Sequence, residues 1–496
     1  MKELQQHFIT NKQTRRVLNL LGAFEHFPST NMVNIEMFSG SSKRTTLHDI
    51  EYVKNYFGNS IKIETKKNSY IFSIVDQKQY VDLKKDLLDG EILFIILESI
   101  FQSLKLPILE WSERLHISES SLTRYISKIQ PLLDDYELSF KSSPLTLVGD
   151  EMNIRKFFMD FYYESDITPH TISPSPEITD AAIQLAESDF IKNYICISFE
   201  ELSYILYITS IRSWNGNFVK VKSIEFMRSN EQVEEFSDYI KTVFQSLHLK
   251  EINENERENL IYILLSRRLS LEYERELSFQ SLFYKSDQIV LIVEKFIEFI
   301  QPPKDSLAIT ETFLKSFFLS TYLKHTLSPV LHRNLADFNQ LVEHLLSDEY
   351  KKINTFVKST LSSNLQLTDL HVADISANLT LFTDTLRLIY WNKRRNILFL
   401  LEGNQFVCNS IRALANKFIG TDHNLFFPNA TYFDEVYLEN NDIDIIVTNS
   451  SNYLSNINDK EFVLFNAKPS ADNWNRLIKI LNPSYSKVFL VKNPYQ

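Results

Sequence analysis

One order of elements occurs twice near the N-terminus of this chain, and it constrains the fold more than any other feature. Each time, two helical stretches and a turn lead into a serine-capped helix, and an alternating hairpin follows. Over 10–75, Thr14–Phe27 has amphipathic helical spacing, Asn31–Phe38 is a second short helix, and Ser39-Gly40 is the turn. Ser42 then opens a third helix as its N-cap. Thr46, Ile50 and Val53 recur on the face that packs inward, while Lys43, Arg44, Thr45 and His48 occupy the other. Ile61–Ile74 reads as two alternating strands around a basic turn, with Lys66 and Lys67 at its tip.

Over 88–150 the order returns. Glu91–Gln102 and Leu106–Leu115 are the first two helices, and Ser118 with Ser121 supplies the cap of the third. Leu122, Ile126 and Ile129 form its buried stripe, leaving Thr123, Arg124 and Lys128 outward. Leu138–Phe140 and Leu145–Val148 make the hairpin around Lys141-Ser142-Ser143-Pro144. This is the order of a winged helix-turn-helix. The N-terminal part of the third helix enters a DNA groove, and its polar and basic side chains reach bases and phosphates. Ser42, Lys43, Arg44, Thr45, His48, Lys66, Lys67, Ser118, Ser121, Thr123, Arg124 and Lys128 are therefore the candidate DNA contacts. Any one of them alone is equally a solvated side chain on a short helix; the repetition favours the binding reading.

The net charge of −11 looks wrong for a nucleic-acid binder, but its distribution matters more than its sum. Residues 1–74 carry 10 Lys and Arg against 6 Asp and Glu, and residues 394–496 carry 10 of each. The acidic excess lies between them and would repel DNA, so contact is confined to the N-terminal end. Glycine is scarce, with 8 in 496 residues, against 37 Phe and 23 Tyr. That disfavours Gly-rich phosphate loops and favours helices packed through aromatic rings. Cys196 and Cys408, far apart, offer neither a disulfide framework nor a cysteine zinc site, which fits a reducing compartment. No signal pattern or apolar run long enough for a membrane span is present, so a cytoplasmic protein is expected. No metal-ligand spacing, nucleotide loop or nucleophile motif is found; neither a cofactor nor an enzyme activity is expected.

Beyond Pro169–Pro176, where three prolines in eight residues disfavour helix, the texture is helical. Phe199–Leu206, Leu260–Leu269, Ile289–Ile300 and Phe313–Leu323 show helical spacing, with Gln301–Asp305 as a linker. The pattern changes at Tyr390–Arg395. Asn396–Leu401, Asp444–Thr448 and Phe462–Phe465 read as strands, and Ser410–Phe418 and Asn473–Leu481 as helices, which predicts a small parallel sheet.

At Ser42–Ile50 and Ser118–Lys128 the chain resembles the Mga/AtxA group of PRD-containing virulence regulators of Gram-positive bacteria. Val148-Gly149-Asp150-Glu151 is similar to the end of that family's second wing. Leu47 and His48 stand where the family commonly has basic residues, and Ser121 replaces a threonine. The resemblance implies a mainly α, multidomain chain. It has winged helix-turn-helix units at 1–75 and 76–165 (the second Mga-type) and helical PRD-like domains at 177–285 and 286–390. An EIIB-like α/β domain follows at 394–496. PRDs are regulation domains read by the sugar phosphotransferase system through phosphorylated histidines. Ile205–Asn217 and Leu323–Arg333 resemble their opening helices. Ser266 stands where a first-domain acceptor would align, and His325 lies one residue out of register with the second. His325 is the leading acceptor, with His248 and His371 behind it; each is also readable as a surface or packing residue. A working EIIB domain holds a phosphate-accepting cysteine in the loop after its first strand. That loop is here Glu402–Gln405 without one, and Cys408 comes a turn later. The aromatics Phe426, Phe427, Tyr432, Phe433 and Tyr437 suit a partner surface or a core equally well.

The expectation is a DNA-binding transcription regulator. Its implied partners are double-stranded DNA, a second copy through the C-terminal domain, and phosphocarrier proteins of the phosphotransferase system. The alternatives are an RNA-binding antiterminator, which shares only the PRDs, and a phosphotransfer enzyme acting through the last domain.

Overall fold

Side-chain caps set many of the helix starts among the described residues. Helix α1 (Glu3–Phe8) precedes α2 (Lys12–His26), whose cap Asn11 accepts from the Gln13 and Thr14 amides. Strand β1 (Ser29–Asn31) runs into α3 (Met32–Ser39), which Asn31 caps. Gly40 ends α3 at a φ of 64°, a conformation that a side chain would penalise. Ser42 opens α4 (Lys43–Phe57) by accepting from the Thr45 amide. Strands β2 (Ile61–Lys66) and β3 (Ser69–Ile74) pair antiparallel, Ile61 against Ile74 and Lys66 against Ser69, and β1 joins the other edge of β3. These elements come from a computed structural model. It describes residues 3–27, 29–66, 69–164, 172–220, 222, 224, 230–268, 272–283, 287–391, 394–428, 435–456 and 460–481. They form two units, Met1–Asp384 and Thr385–Gln496.

In the first helical group Arg16 of α2 grips the buried Asp49 of α4 through Nε and Nη2 at 2.8 and 3.1 Å. Phe24 stacks on Phe72, centroids 5.3 Å apart, and ties α2 to the sheet. Helix α5 (Gln77–Asp86) closes the group, because Tyr80 and Lys84 both donate to Glu25 Oε1 at 2.7 and 2.6 Å.

The second group has α6 (Ile92–Phe101), α7 (Ile108–Arg114) and α8 (Glu119–Asp134), then the antiparallel pair β4 (Ser139–Ser142) and β5 (Leu145–Val148). Helix α9 (Glu151–Phe158) follows, capped by Asp150, and widens into a π-helical turn over Met159–Tyr163. Rings fill its core: Phe94, Phe101, Phe157, Phe158, Phe161 and Tyr162 are all buried. The N-terminal helix α1 belongs to this core, not to the group that follows it in sequence. Phe8 packs against Phe157 and Phe161 at 5.9 and 5.0 Å, and Gln5 donates to the Phe161 carbonyl. Thr10 donates through both N and Oγ1 to Glu91 Oε2, at 2.8 and 2.9 Å.

The rest of the first unit is helical. Its first block holds α10 (Pro176–Glu187), α11 (Asp189–Tyr194), α12 (Phe199–Trp214), α13 (Glu231–Ser246), α14 (Glu254–Leu265) and α15 (Tyr273–Phe283). Its second block holds α16 (Asp287–Ile300), α17 (Leu307–Leu327), α18 (Ala336–Leu345), α19 (Ser347–Phe356), α20 (Ser362–Leu365) and α21 (Asp369–Leu386). The helix expected over Leu260–Leu269 starts earlier and stops at Leu265; Leu269 lies outside the described residues.

Buried charge joins the first block to α9. Glu151 accepts from Arg155 Nε at 3.1 Å and from Arg212 Nε and Nη2 at 2.8 and 2.7 Å. Arg155 also meets Glu256 at 2.6 Å, and Arg212 Nη1 reaches the Ile100 carbonyl at 3.1 Å. Two arginines and two glutamates balance here with side chains no more than 9% exposed.

In the second unit β6 (Asn396–Leu400) is central. The sheet order is β7 (Asn424–Phe426), β6, β8 (Ile445–Thr448), β9 (Glu461–Leu464), and every pairing is parallel. Helices α22 (Gln405–Phe418), α23 (Glu435–Asn440) and α24 (Ala471–Leu481) accompany it. Trp474, fully buried, packs edge-to-face on Phe418 and Phe465. The expected parallel sheet is present, but α22 starts five residues earlier than the Ser410 expected, because Asn404 caps it.

Candidate nucleic-acid interface

Both serine-capped helices present the faces their sequences suggest. In α4, Thr46, Ile50 and Val53 are buried, while Ser42, Lys43, Arg44 and His48 are exposed and Thr45 half-buried. Thr45 is also occupied locally, its hydroxyl 3.0 Å from Ser42 Oγ. His48 Nδ1 stands 3.9 Å from Asp49 Oδ1. Leu47, 43% exposed, shares this outer face, which its apolar side chain does not signal in sequence. Lys66 ends β2, exposed, its Nζ 3.8 Å from Glu64; Lys67 lies outside the described residues.

In α8, Leu122, Ile126 and Ile129 are buried, and Thr123, Arg124 and Lys128 are exposed. Ser118 Oγ accepts from the Ser121 amide at 3.2 Å and donates to the Ser121 hydroxyl at 2.9 Å, so both serines are engaged in the cap. Arg124 lies over the Tyr125 ring at 5.7 Å. The hairpin β4–β5 follows at once, and Gly149 ends it where no side chain fits. A Cβ there would stand 2.4 Å from Leu138 Cδ2 and 2.9 Å from the Glu137 carbonyl oxygen.

Residues 76–162, from α5 to the π-helical turn, match the Mga helix-turn-helix domain. That segment is thus similar to an Mga helix-turn-helix domain. Two curated relatives extend the likeness. It is 22% identical over 426 residues to the capsule synthesis positive regulator AcpB of Bacillus anthracis, covering 82% of this chain and 86% of that one. It is also 22% identical over 291 residues to the capsule synthesis positive regulator AcpA of the same organism. That match spans 58% of this chain and little over half, 56%, of the relative. The resemblance to the Mga/AtxA regulators is shown by these matches together.

The Mga domain includes α9, so the buried charge cluster and the histidines near it sit where this domain meets the helical blocks. His325, at the end of α17, stacks on His332 at 5.9 Å, and His332 meets His371 edge-on at 6.4 Å. Burial holds His332 well below the ordinary imidazole range, and Lys324 and His325 push the same way. Burial lowers His371 also, against the pull of Asp374, and lowers His325. His248 stands apart, exposed in the turn that ends α13. Ser266 is buried, its carbonyl accepting from Ser320. The convergence of three histidines has no signal in the sequence; His332 lies within Leu323–Arg333, but nothing in its spacing marks it for a role.

The second unit's loop is closed by its own side chains. Glu402 N donates to Asn449 Oδ1 at 2.7 Å, Asn449 Nδ2 returns to the Glu402 carbonyl at 2.8 Å, and Tyr453 donates to the Glu402 carboxylate. Cys408 lies in the first turn of α22, half-buried. Of the aromatic group, Phe427 stacks on Phe399 at 4.9 Å, and Phe426 and Tyr437 pack on the core; Tyr432 and Phe433 lie outside the described residues. Among the described residues no helix is long and apolar enough to cross a membrane, and no group of three or more His, Cys, Asp or Glu could hold a metal.

Proposed function

We propose that this chain is a transcription regulator that binds duplex DNA through two winged helix-turn-helix units, 1–75 and 76–165. The observation that carries this reading is the Mga domain at 76–162, whose capped helix α8 turns Thr123, Arg124 and Lys128 outward ahead of a hairpin. Helix α4, with Lys43 and Arg44 exposed in its first turn and β2–β3 behind it, supports a second grip of the same kind. Basic side chains at helix N-termini neutralise phosphates and reach base edges. The relatives' names, both positive regulators, favour activation over repression, with the protein acting in the cytoplasm where the DNA lies.

The test is a gel shift with genomic fragments at low salt. The parent shifts a subset of fragments. Arg44→Ala and Arg124→Ala each weaken binding by roughly 10-fold or more where the arginine reads a base edge. No shift by the parent at low salt overturns the reading.

Within it, the two helical blocks act as PRD-like domains, 177–285 and 286–390, and 394–496 acts as an EIIB-like domain that pairs two copies. His325 is the proposed phosphate acceptor. Added negative charge beside His332 and Lys324 would bias the packing there. Purified phosphotransferase components label the parent and not His325→Ala; equal labelling refutes that assignment.

A further inference from the structure

The turn Pro329–His332 and Arg333 belong to the second helical block, between α17 and α18, yet they touch the Mga domain. Arg333 Nη2 donates to Asp135 Oδ2 at 3.0 Å, and Nη1 donates to Asp374 Oδ2 at 3.2 Å. Asp374, in α21, has no side-chain exposure. Its other oxygen accepts from Asn339 at 2.6 Å, its carbonyl accepts from Asn334 at 3.0 Å, and Asn378 donates to Asn334 at 3.2 Å. A second link lies close by, where Ser328 donates to Asn153 of α9.

Asp135 is the C-cap of α8. A carboxylate there faces the negative end of the helix dipole and gains nothing from its own helix. Arg333 opposite supplies the compensating charge. The guanidinium is a rigid planar fork, and one of its ends is fixed by a buried carboxylate that Asn339 holds in turn. The other end therefore meets Asp135 at a set place.

We propose that Arg333 is a positioning residue for DNA reading: it fixes the C-terminus of α8 to the second helical block and thereby sets the tilt of the helix. This rests on the DNA-binding reading above. The 16 residues of α8 make a rod ~24 Å long. A tilt of about 5° about its C-terminal end moves the first turn by about 2 Å, more than a base-edge hydrogen bond tolerates. Packing of the second block is then expressed as sequence discrimination by Thr123, Arg124 and Lys128.

The experiment compares affinity for a duplex that the parent enriches from a random pool with affinity for a scrambled duplex, at one salt concentration, by fluorescence anisotropy. The readout is the ratio of the two affinities, which a smaller folded fraction leaves unchanged. Asp135, 45% exposed, can be changed without emptying the core. Asp135→Asn lowers the ratio about 3–10-fold, equivalent to the ordinary net worth of a hydrogen bond at a half-exposed site, and Asp135→Glu restores most of it. Arg333→Gln lowers the ratio similarly, and the double variant is no worse than either single one. An unchanged ratio in Asp135→Asn, or reductions that multiply in the double variant, overturns the proposal while leaving DNA binding intact. A parent that binds no duplex overturns both.

Discussion

Arg212 offers the sharpest test of how the Mga domain is held to the first helical block. It makes two hydrogen bonds to Glu151 and one to the Ile100 carbonyl, and its side chain is 5% exposed. Four charges balance in this cluster. Arg212→Met leaves Glu151 and Glu256 to share Arg155, and it leaves the Ile100 carbonyl in the last turn of α6 with backbone amides alone, Ser103 N at 3.0 Å among them. Stranding one member of a buried ion pair costs about 3–5 kcal/mol. At roughly 2 °C per kcal/mol for a large cooperative unit, the thermal midpoint falls by about 6–10 °C. Glu151→Met on top of Arg212→Met should recover most of that drop, because Arg155 and Glu256 then remain as a neutral pair in a more apolar setting. Circular dichroism melts of the parent, the single and the double variants decide it. A single variant that melts with the parent, or a double variant no more stable than Arg212→Met, refutes the charge-balance argument.

Three further outcomes follow from local geometry. Gly149→Ala forces a methyl against Leu138 and the Glu137 carbonyl, and should cost about 1–3 kcal/mol in urea denaturation; an unchanged midpoint would show that the hairpin yields freely. Ser118→Ala removes the cap of α8 and should cost about 1 kcal/mol, with Ser118→Asp close to the parent, both read from thermal melts. The buried histidines give an acid limb to stability. Their folded pKa values lie below the unfolded value, so their contribution is full above about pH 6.5 and is lost as pH falls toward the folded values. The slope is at most about 1.4 kcal/mol per pH unit for each. Asp160, which burial raises to about 6, titrates in the opposite sense, so the comparison is parent against His332→Gln. The variant's stability should fall less on acidification, and equal slopes would remove His332 from the account.

What could be read from sequence was local. Ser42 and Ser118 announce their helices because a hydroxyl before an apolar stripe caps by itself, and the burial of Val53 or Ile126 follows from spacing. Three strands of the parallel sheet after 396 are equally legible from their apolar runs, whereas β7, with three residues, is not. What escaped was distant. Nothing in Glu3–Phe8 says that Phe8 packs on Phe157, and Arg155 and Glu256 lie 101 residues apart. Strand β1 has three residues, too few for an alternation to register. The proposed DNA contacts are legible only as a pattern of polarity on a helix, and the contact of α8 with the second block passes through Asp135 and Arg333, two charges that the sequence leaves unremarkable.

The pairing of Thr10 with Glu91 has a mechanical consequence. The first helical group leaves the rest of the unit after Thr10 and returns at Glu91, and the hydrogen bonds between these two residues pin its two strands side by side. A lobe on one strand can swivel about single bonds. A lobe whose two connecting segments are hydrogen-bonded to each other resists twisting more than one on a single segment. If both lobes grip one duplex, the neck holds their rotational phase, so two binding sites moved apart by about half a helical turn, some 5 base pairs, would face opposite sides of the DNA and could not be held together. On the proposed two-grip reading, the pinned neck would make the pair of grips a gauge of the spacing between them.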